Sequence, residues 1–153
     1  MKLRDHGERS VSLLDGDEVR RRLSSELSYS PEDRERHVRR IGYVAAEITK
    51  SGGVAICARV TPHAETRDEL RRLVEDVGGF VLVHVNTALD VCEARDRKGL
   101  YKKAHAGLIE HFTGVSESYE EPTDADVVVD AAVLTPERAS DTILEHLVER
   151  GYL

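Results

Sequence analysis

Apolar positions along the chain follow two periods. Four short runs are dense in β-branched and other apolar residues: Ser10-Val11-Ser12-Leu13-Leu14, Val54-Ala55-Ile56-Cys57-Ala58, Phe80-Val81-Leu82-Val83-His84-Val85 and Asp126-Val127-Val128-Val129-Asp130. The last three are nearly continuous in apolar character, the pattern of strands buried on both faces of a parallel sheet. Between the runs the period lengthens to that of a helix. Ser30-Pro31-Glu32-Asp33 combines a capping hydroxyl, proline at the first helical position and acids that favour the positive end of the helix dipole. The stretch after it places Val38, Ile41, Ala45 and Ile48 on one face, and Gly52-Gly53 ends it. Residues 64–77 carry Leu70, Leu73, Val74 and Val77 at helical spacing ahead of Gly78-Gly79. Thr135-Pro136-Glu137 opens a last helix with Ala139, Ile143, Leu144, Leu147 and Val148 inward, and Gly151 closes it. Strands alternating with helices predict an α/β fold with a largely parallel sheet flanked by helices. Ligands in such folds sit beyond the carboxyl ends of the strands, which directs attention to residues 15–17, 59–67, 86–90 and the loop after Asp130.

Composition narrows the picture. A chain of 153 residues with 40% hydrophobic residues suits one domain with a real core. The formal charge of −7 argues against a bulk electrostatic drive toward nucleic acid or an anionic membrane. No apolar stretch approaches the roughly 20 residues of a membrane helix. Cys57 and Cys92 form no C-x-x-C pair and read as small buried hydrophobes. With no hydrophobic targeting segment at the start, they suggest a reducing, cytoplasmic setting. The histidines show no metal-ligand spacing, so no metal site is expected from side chains alone.

Candidate chemistry starts at Leu13-Leu14-Asp15-Gly16-Asp17, where two carboxylates lie just past a strand end with a glycine between them. They suit magnesium-water ligation or activation of a substrate hydroxyl, or they form a turn that caps the next helix. Arginines then crowd together: Arg20, Arg21, Arg22, Arg34, Arg36, Arg39 and Arg40. A guanidinium fork matches phosphate or sulfate, so one or two of these are expected on a compact anion. The others read as a solvated face balanced by Glu18, Glu26, Glu32, Asp33 and Glu35. Residues 96–103 form a second basic stretch, followed by Phe112-Thr113-Gly114. Phe80 reads as core. Phe112, set among polar residues, is open to two readings: stacking on a base or packing under a loop. His84, inside an apolar strand, reads as a hydrogen-bonded core histidine.

These residues carry a resemblance. Leu14-Asp15-Gly16-Asp17-x-x-Arg20, Asp33-Arg34, Val91-Cys92-Glu93-Ala94-Arg95-Asp96, Lys98-Gly99-Leu100-Tyr101, Phe112-Thr113-Gly114 and Ser118-Tyr119-Glu120-x-Pro122 together resemble adenylylsulfate kinase, in order and spacing, from about Leu3 onward. The segment from Arg40 to Lys50 is most similar to the version fused behind ATP sulfurylase. The family transfers the γ-phosphate of ATP to the 3′-hydroxyl of adenosine 5′-phosphosulfate, giving 3′-phosphoadenosine 5′-phosphosulfate. The resemblance implies a P-loop nucleoside-kinase-like fold, ATP with Mg2+, often a homodimer or higher oligomer, and an ATP sulfurylase domain as a possible partner. It makes Asp15 the residue that orients the acceptor hydroxyl or holds metal water. Asp17, Arg20 and Arg34 hold the adenylylsulfate, Tyr29 and Phe112 sandwich its adenine, Lys98 lies in a lid, and Arg95 lies near the ATP base. His37 replaces a substrate-site asparagine.

The departures from the family pattern are as specific. No Gly-Lys pair exists, so the Gly-x-x-x-x-Gly-Lys-Ser/Thr loop that cradles ATP phosphates is missing. Leu3 to Gly7 resembles the tail of the helix after that loop, so the first strand, the loop and most of that helix are expected to be absent. That strand normally lies between the Val54 and Phe80 strands. Each buried ladder group left unpaired there costs about 1–3 kcal/mol, so the strands are expected to re-pair or to take a strand from another chain. Arg59, Thr61 and His63 stand where the fused type usually has Ala-Pro-Ile-Ala-Pro-Tyr, whereas Pro62 and Arg67 are kept, and His105 replaces an arginine. The chain alone is expected to show no kinase turnover. The alternative function is a catalytically silent module that binds the sulfonucleotide or its phosphorylated product and regulates a sulfurylase.

Overall fold

The computed structural model describes residues 2–5 and 9–153. The chain packs as two compact units, one running to Phe80 and the other spanning Val81 to Leu153.

The first unit opens with the short helix α1 (Lys2–Asp5); Gly7, assigned above to the end of that helix, lies outside the described residues. Then follow β1 (Val11–Asp15), α2 (Gly16–Leu23), α3 (Pro31–Lys50), β2 (Val54–Ala58) and α4 (Ala64–Glu75). β1 and β2 pair in parallel, with Val11 opposite Val54 and Asp15 opposite Ala58. α3 starts as its sequence predicts: Ser30 Oγ accepts from the Asp33 amide at 3.3 Å, and Pro31 occupies the first turn. Val38, Ile41, Ala45 and Ala46 of α3 are buried and, with Val11, Val19 and Val74, make up the core of this unit. Gly42 lets α3 and α4 approach closely, because a Cβ there would collide with the Leu70 side chain.

The second unit contains β3 (Val83–Asn86), α5 (Leu89–Arg95), α6 (Leu100–His105), β4 (Val127–Asp130) and α7 (Pro136–Glu149). β3 and β4 are parallel, with Val83 opposite Val127 and Asn86 opposite Asp130. Thr135 caps α7 by accepting from the Arg138 amide at 3.3 Å.

The α/β class and the parallel pairing are as the sequence predicts. The anticipated re-pairing does not form: among the described residues each strand has one partner, within its own unit. Two-stranded ladders cover little, which is why Cys57 and Ala58, read as interior, are exposed. Phe80 does not open a strand. Its ring instead lies under the Arg71 guanidinium, 4.9 Å away.

Candidate anion site at the carboxyl end of β1

Asp15 ends β1 and caps α2. Its Oδ1 accepts from the amides of Asp17 at 3.0 Å and Glu18 at 3.1 Å, two donors that the first helical turn leaves without partners. The turn reading of Asp15-Gly16-Asp17 is therefore realised, and both bonds fall on one carboxylate oxygen. The β1–β2 register carries past Asp15 and Ala58, so Gly16 meets the residue after β2, Arg59. A Cβ at Gly16 would stand 3.4 Å from Arg59 Cδ and from Arg59 Nη1. Arg67, itself buried, donates from Nη1 to the Thr61 carbonyl at 3.0 Å and so fixes the segment that bears Arg59.

Arg20, on α2, is only 8% exposed. Its Nη1 donates to the carbonyls of Ser28 at 2.9 Å and Leu27 at 3.3 Å, and its guanidinium lies 4.7 Å from the Tyr29 ring centroid. Its Nη2 is buried with no hydrogen-bond partner. From the other side Asp33 Oδ2 accepts from the Ser28 amide at 2.8 Å and the Ser28 hydroxyl at 2.7 Å, which lowers the Asp33 pKa. The connection carrying Tyr29 is thus tied to both flanking helices while the Tyr29 side chain stays exposed.

His37, which the resemblance sets at the substrate site, follows the first turn of α3. It is wholly buried, and both ring nitrogens are used within the protein. A carbonyl can only accept, so Nε2–H donates to Gly16 O at 3.1 Å, and the Ser24 hydroxyl donates to Nδ1 at 2.9 Å. Burial, followed by the charge of Arg59, depresses its pKa and keeps it neutral. A side chain with no exposed surface and no spare nitrogen holds the Gly16 carbonyl at the start of α2. Ser24, equally buried, was not singled out in the sequence, because a serine at a helix end carries no distinguishing signal.

The arginine crowd separates by partner. Arg21 and Arg22 pair with Glu18, Arg36 with Asp33, Arg40 with Glu26, and Arg39 with Glu35 and Glu69. These are exposed pairs of small energetic worth. Arg20 is tied to the Leu27 and Ser28 carbonyls, and Arg59 lies within the influence of Arg20 and Arg34. The Arg59 pKa is pulled down to about 10 by burial and then by the charges of Arg20 and Arg34, with Asp17 and Tyr29 opposing.

In the second unit, Asp96 accepts from the amides of Tyr101 at 3.1 Å and Lys102 at 3.0 Å, which bridges the turn holding Arg97 and Lys98 and lowers its own pKa. Lys98 and Arg95 are exposed. Phe112 is half-buried and packs edge-on against Tyr101, with ring centroids 5.1 Å apart. His84 is a core residue, as read.

A family model described as adenylylsulphate kinase matches residues 1–130. The chain belongs to the adenylylsulphate kinase family. A sulfate adenylyltransferase of Mycosarcoma maydis is 53% identical to it over 133 residues, which are 85% of this chain and 23% of that protein. The APS kinase CysC of Mycobacterium tuberculosis, solved in complex with AMPPNP and APS, superposes with a TM-score of 0.87 at 35% identity, covering 95% of this chain and 84% of that one. A hexameric APS kinase from Thiobacillus denitrificans gives a TM-score of 0.74 at 39% identity, covering 99% of this chain and 25% of that one. The chain spans about a quarter of the length of the curated relatives it matches. On this adenylylsulphate kinase fold, Asp15, Asp17, Arg20, Tyr29, Arg34 and His37 all fall in the first unit. Arg95, Lys98 and Phe112 fall in the second. In the sequence Arg59 lay in the 59–67 segment past a strand end and departed from the family wording, and the strand register brings it beside Gly16.

Proposed function

We propose that the chain is the sulfonucleotide-binding part of an adenylylsulfate kinase, the enzyme that phosphorylates the 3′-hydroxyl of adenosine 5′-phosphosulfate at the expense of ATP. Arg20 and Arg34 bind the phosphosulfate, Asp17 orients them, Tyr29 lies against the adenine and Asp15 faces the acceptor hydroxyl. His37 positions Gly16 and the end of α2. Arg95, Lys98 and Phe112 keep their family roles within the same proposal. The observation that carries it is Arg20: a buried guanidinium that spends one amino group on loop carbonyls and holds the other, unpartnered, away from water. Such a donor costs about 1–3 kcal/mol until an acceptor arrives. The family of the chain and its likeness to a kinase solved with AMPPNP and APS support the reading. The relatives' names support a sulfurylase domain as partner, and the hexameric relative supports an oligomer. A cytoplasmic setting belongs to the same proposal. Among the described residues no helix is long and apolar enough to cross a membrane.

The ATP phosphates and Mg2+ fit these residues poorly. No Gly-Lys pair exists in the sequence, Oδ1 of Asp15 is committed to two helix amides, and no cluster of three or more His, Cys, Asp or Glu among the described residues is placed to hold a metal. The alternative reading is a binding module without turnover, in keeping with Asp15 Oδ1 being held by helix amides. Calorimetry with adenosine 5′-phosphosulfate tests the first proposal: binding is expected, and Tyr29→Ala weakens it by about 1–3 kcal/mol of stacking. A folded chain that gives no heat rejects it. A coupled kinase assay separates the two readings, with no product above a denatured control expected from this chain.

A further inference from the structure

Arg59 is placed where a lone arginine has little reason to be. It follows β2, lies against Gly16 at the start of α2, and shares its surroundings with Arg20 and Arg34. The positive end of α2 adds to this repulsion. Its Nε is buried and has no hydrogen-bond partner, as is Nη2 of Arg20. Arg59 feels the charges of Arg20 and Arg34, with Asp17 opposing them, while Asp15 Oδ1 is held by the amides of Asp17 and Glu18. A half-buried cation beside two others, with its Nε shut away from water, is stabilised when something negative completes the group.

We propose that Arg59 is a third anion-binding arginine of the sulfonucleotide site, contacting the acidic 5′ group of the ligand together with Arg20 and Arg34. The inference rests on the proposed binding of adenosine 5′-phosphosulfate and deepens it. A 5′-phosphosulfate carries two negative charges, which complements the guanidiniums of Arg20, Arg34 and Arg59. The Nε donor that is orphaned in the free protein gains its acceptor on binding. Arg67 holds the 59–61 segment through the Thr61 carbonyl, so Arg59 is delivered by a fixed backbone, which limits the ordering cost of the contact.

The test is titration of adenosine 5′-phosphosulfate into the wild-type chain, Arg59→Met, Arg59→Gln and Arg59→Lys at low and at high salt, with a urea melt of each. Arg59→Met and Arg59→Gln are expected to lose roughly tenfold to hundredfold in affinity at low salt, the worth of a charged hydrogen-bonded contact. That gap should narrow at high salt, and Arg59→Lys should recover part of it. A purely structural arginine would lower the urea midpoint and leave a salt-independent loss, which overturns the proposal. Unchanged affinity in a folded Arg59→Met or Arg59→Gln overturns it too, while leaving the binding function standing. No binding by the wild-type chain overturns both.

Discussion

His37 shows how a single substitution is absorbed by its surroundings. The ring accepts from Ser24 and donates to the Gly16 carbonyl, and Arg40 adds a longer contact from Nη1 to the same Ser24 hydroxyl at 3.4 Å. The unfolded chain protonates this histidine near pH 6.5, whereas the folded chain resists protonation to a lower pH. Between those values the unfolded state binds more protons. Its contribution to stability is therefore complete above about pH 6.5 and declines as pH falls, by up to about 1.4 kcal/mol per pH unit, until the folded histidine also titrates. Urea midpoints measured from pH 7 to 5 should fall for the wild type and fall less for His37→Asn. Equal slopes would show that burial does not hold the ring neutral. Ser24→Ala leaves Nδ1 buried without a donor and should cost about 1–3 kcal/mol at pH 7 by the same melt. The capping role of Asp15 was one of the two readings open in the sequence, because an aspartate just ahead of a helix accepts from its first-turn amides. The burial of His37 was not legible there, since Arg34, Glu35 and Arg36 before it and Arg39 and Arg40 after it make its position look solvated.

The helices were legible where their ends carry caps. Ser30-Pro31 and Thr135-Pro136 fix the starts of α3 and α7 to the residue. Ser30→Ala should cost about 1 kcal/mol in a denaturant melt, as loss of a cap does. The change should also loosen the connection bearing Tyr29, read as faster amide exchange at residues 28–30. Exchange there that matches the wild type would show that Arg20 and Asp33 hold the connection without the cap. α5 and α6 had no such mark. α6 is started by Asp96, three residues ahead of its Gly99 cap position, across a turn closed by a glycine at φ 65°. The strand expected from Phe80 begins only at Val83, because Asp126 Oδ2 takes the Leu82 amide at 2.7 Å before the ladder starts. Side-chain acceptors that replace backbone partners are invisible to a hydrophobic pattern.

The two units differ in how much each buries. The first holds Val11, Val19, Val38, Ile41, Ala45, Ala46 and Val74 away from water, with α3 laid along both strands and α4. The second holds Ala104, Val127 and Val129, and α7 contributes no buried residue although its sequence predicts an inward apolar face. Val85 and Val128, one from each strand of the second ladder, stay 60% and 55% exposed. A two-stranded ladder is marginal on its own and depends on the layer packed against it. Local opening free energies should therefore be lower in the second unit. Hydrogen exchange followed by mass spectrometry is expected to show the β1–β2 and α3 amides exchanging more slowly than those of β3, β4 and α7. Binding of adenosine 5′-phosphosulfate should then slow exchange further around residues 15–20, 29 and 59, where the arginines meet. If β3 and β4 instead proved the slowest-exchanging elements, stability in this chain would follow something other than buried apolar area. The anion site would then stand on the weaker unit, and its loop carbonyls and orphaned guanidinium donors could not be held in place by the packing of α3.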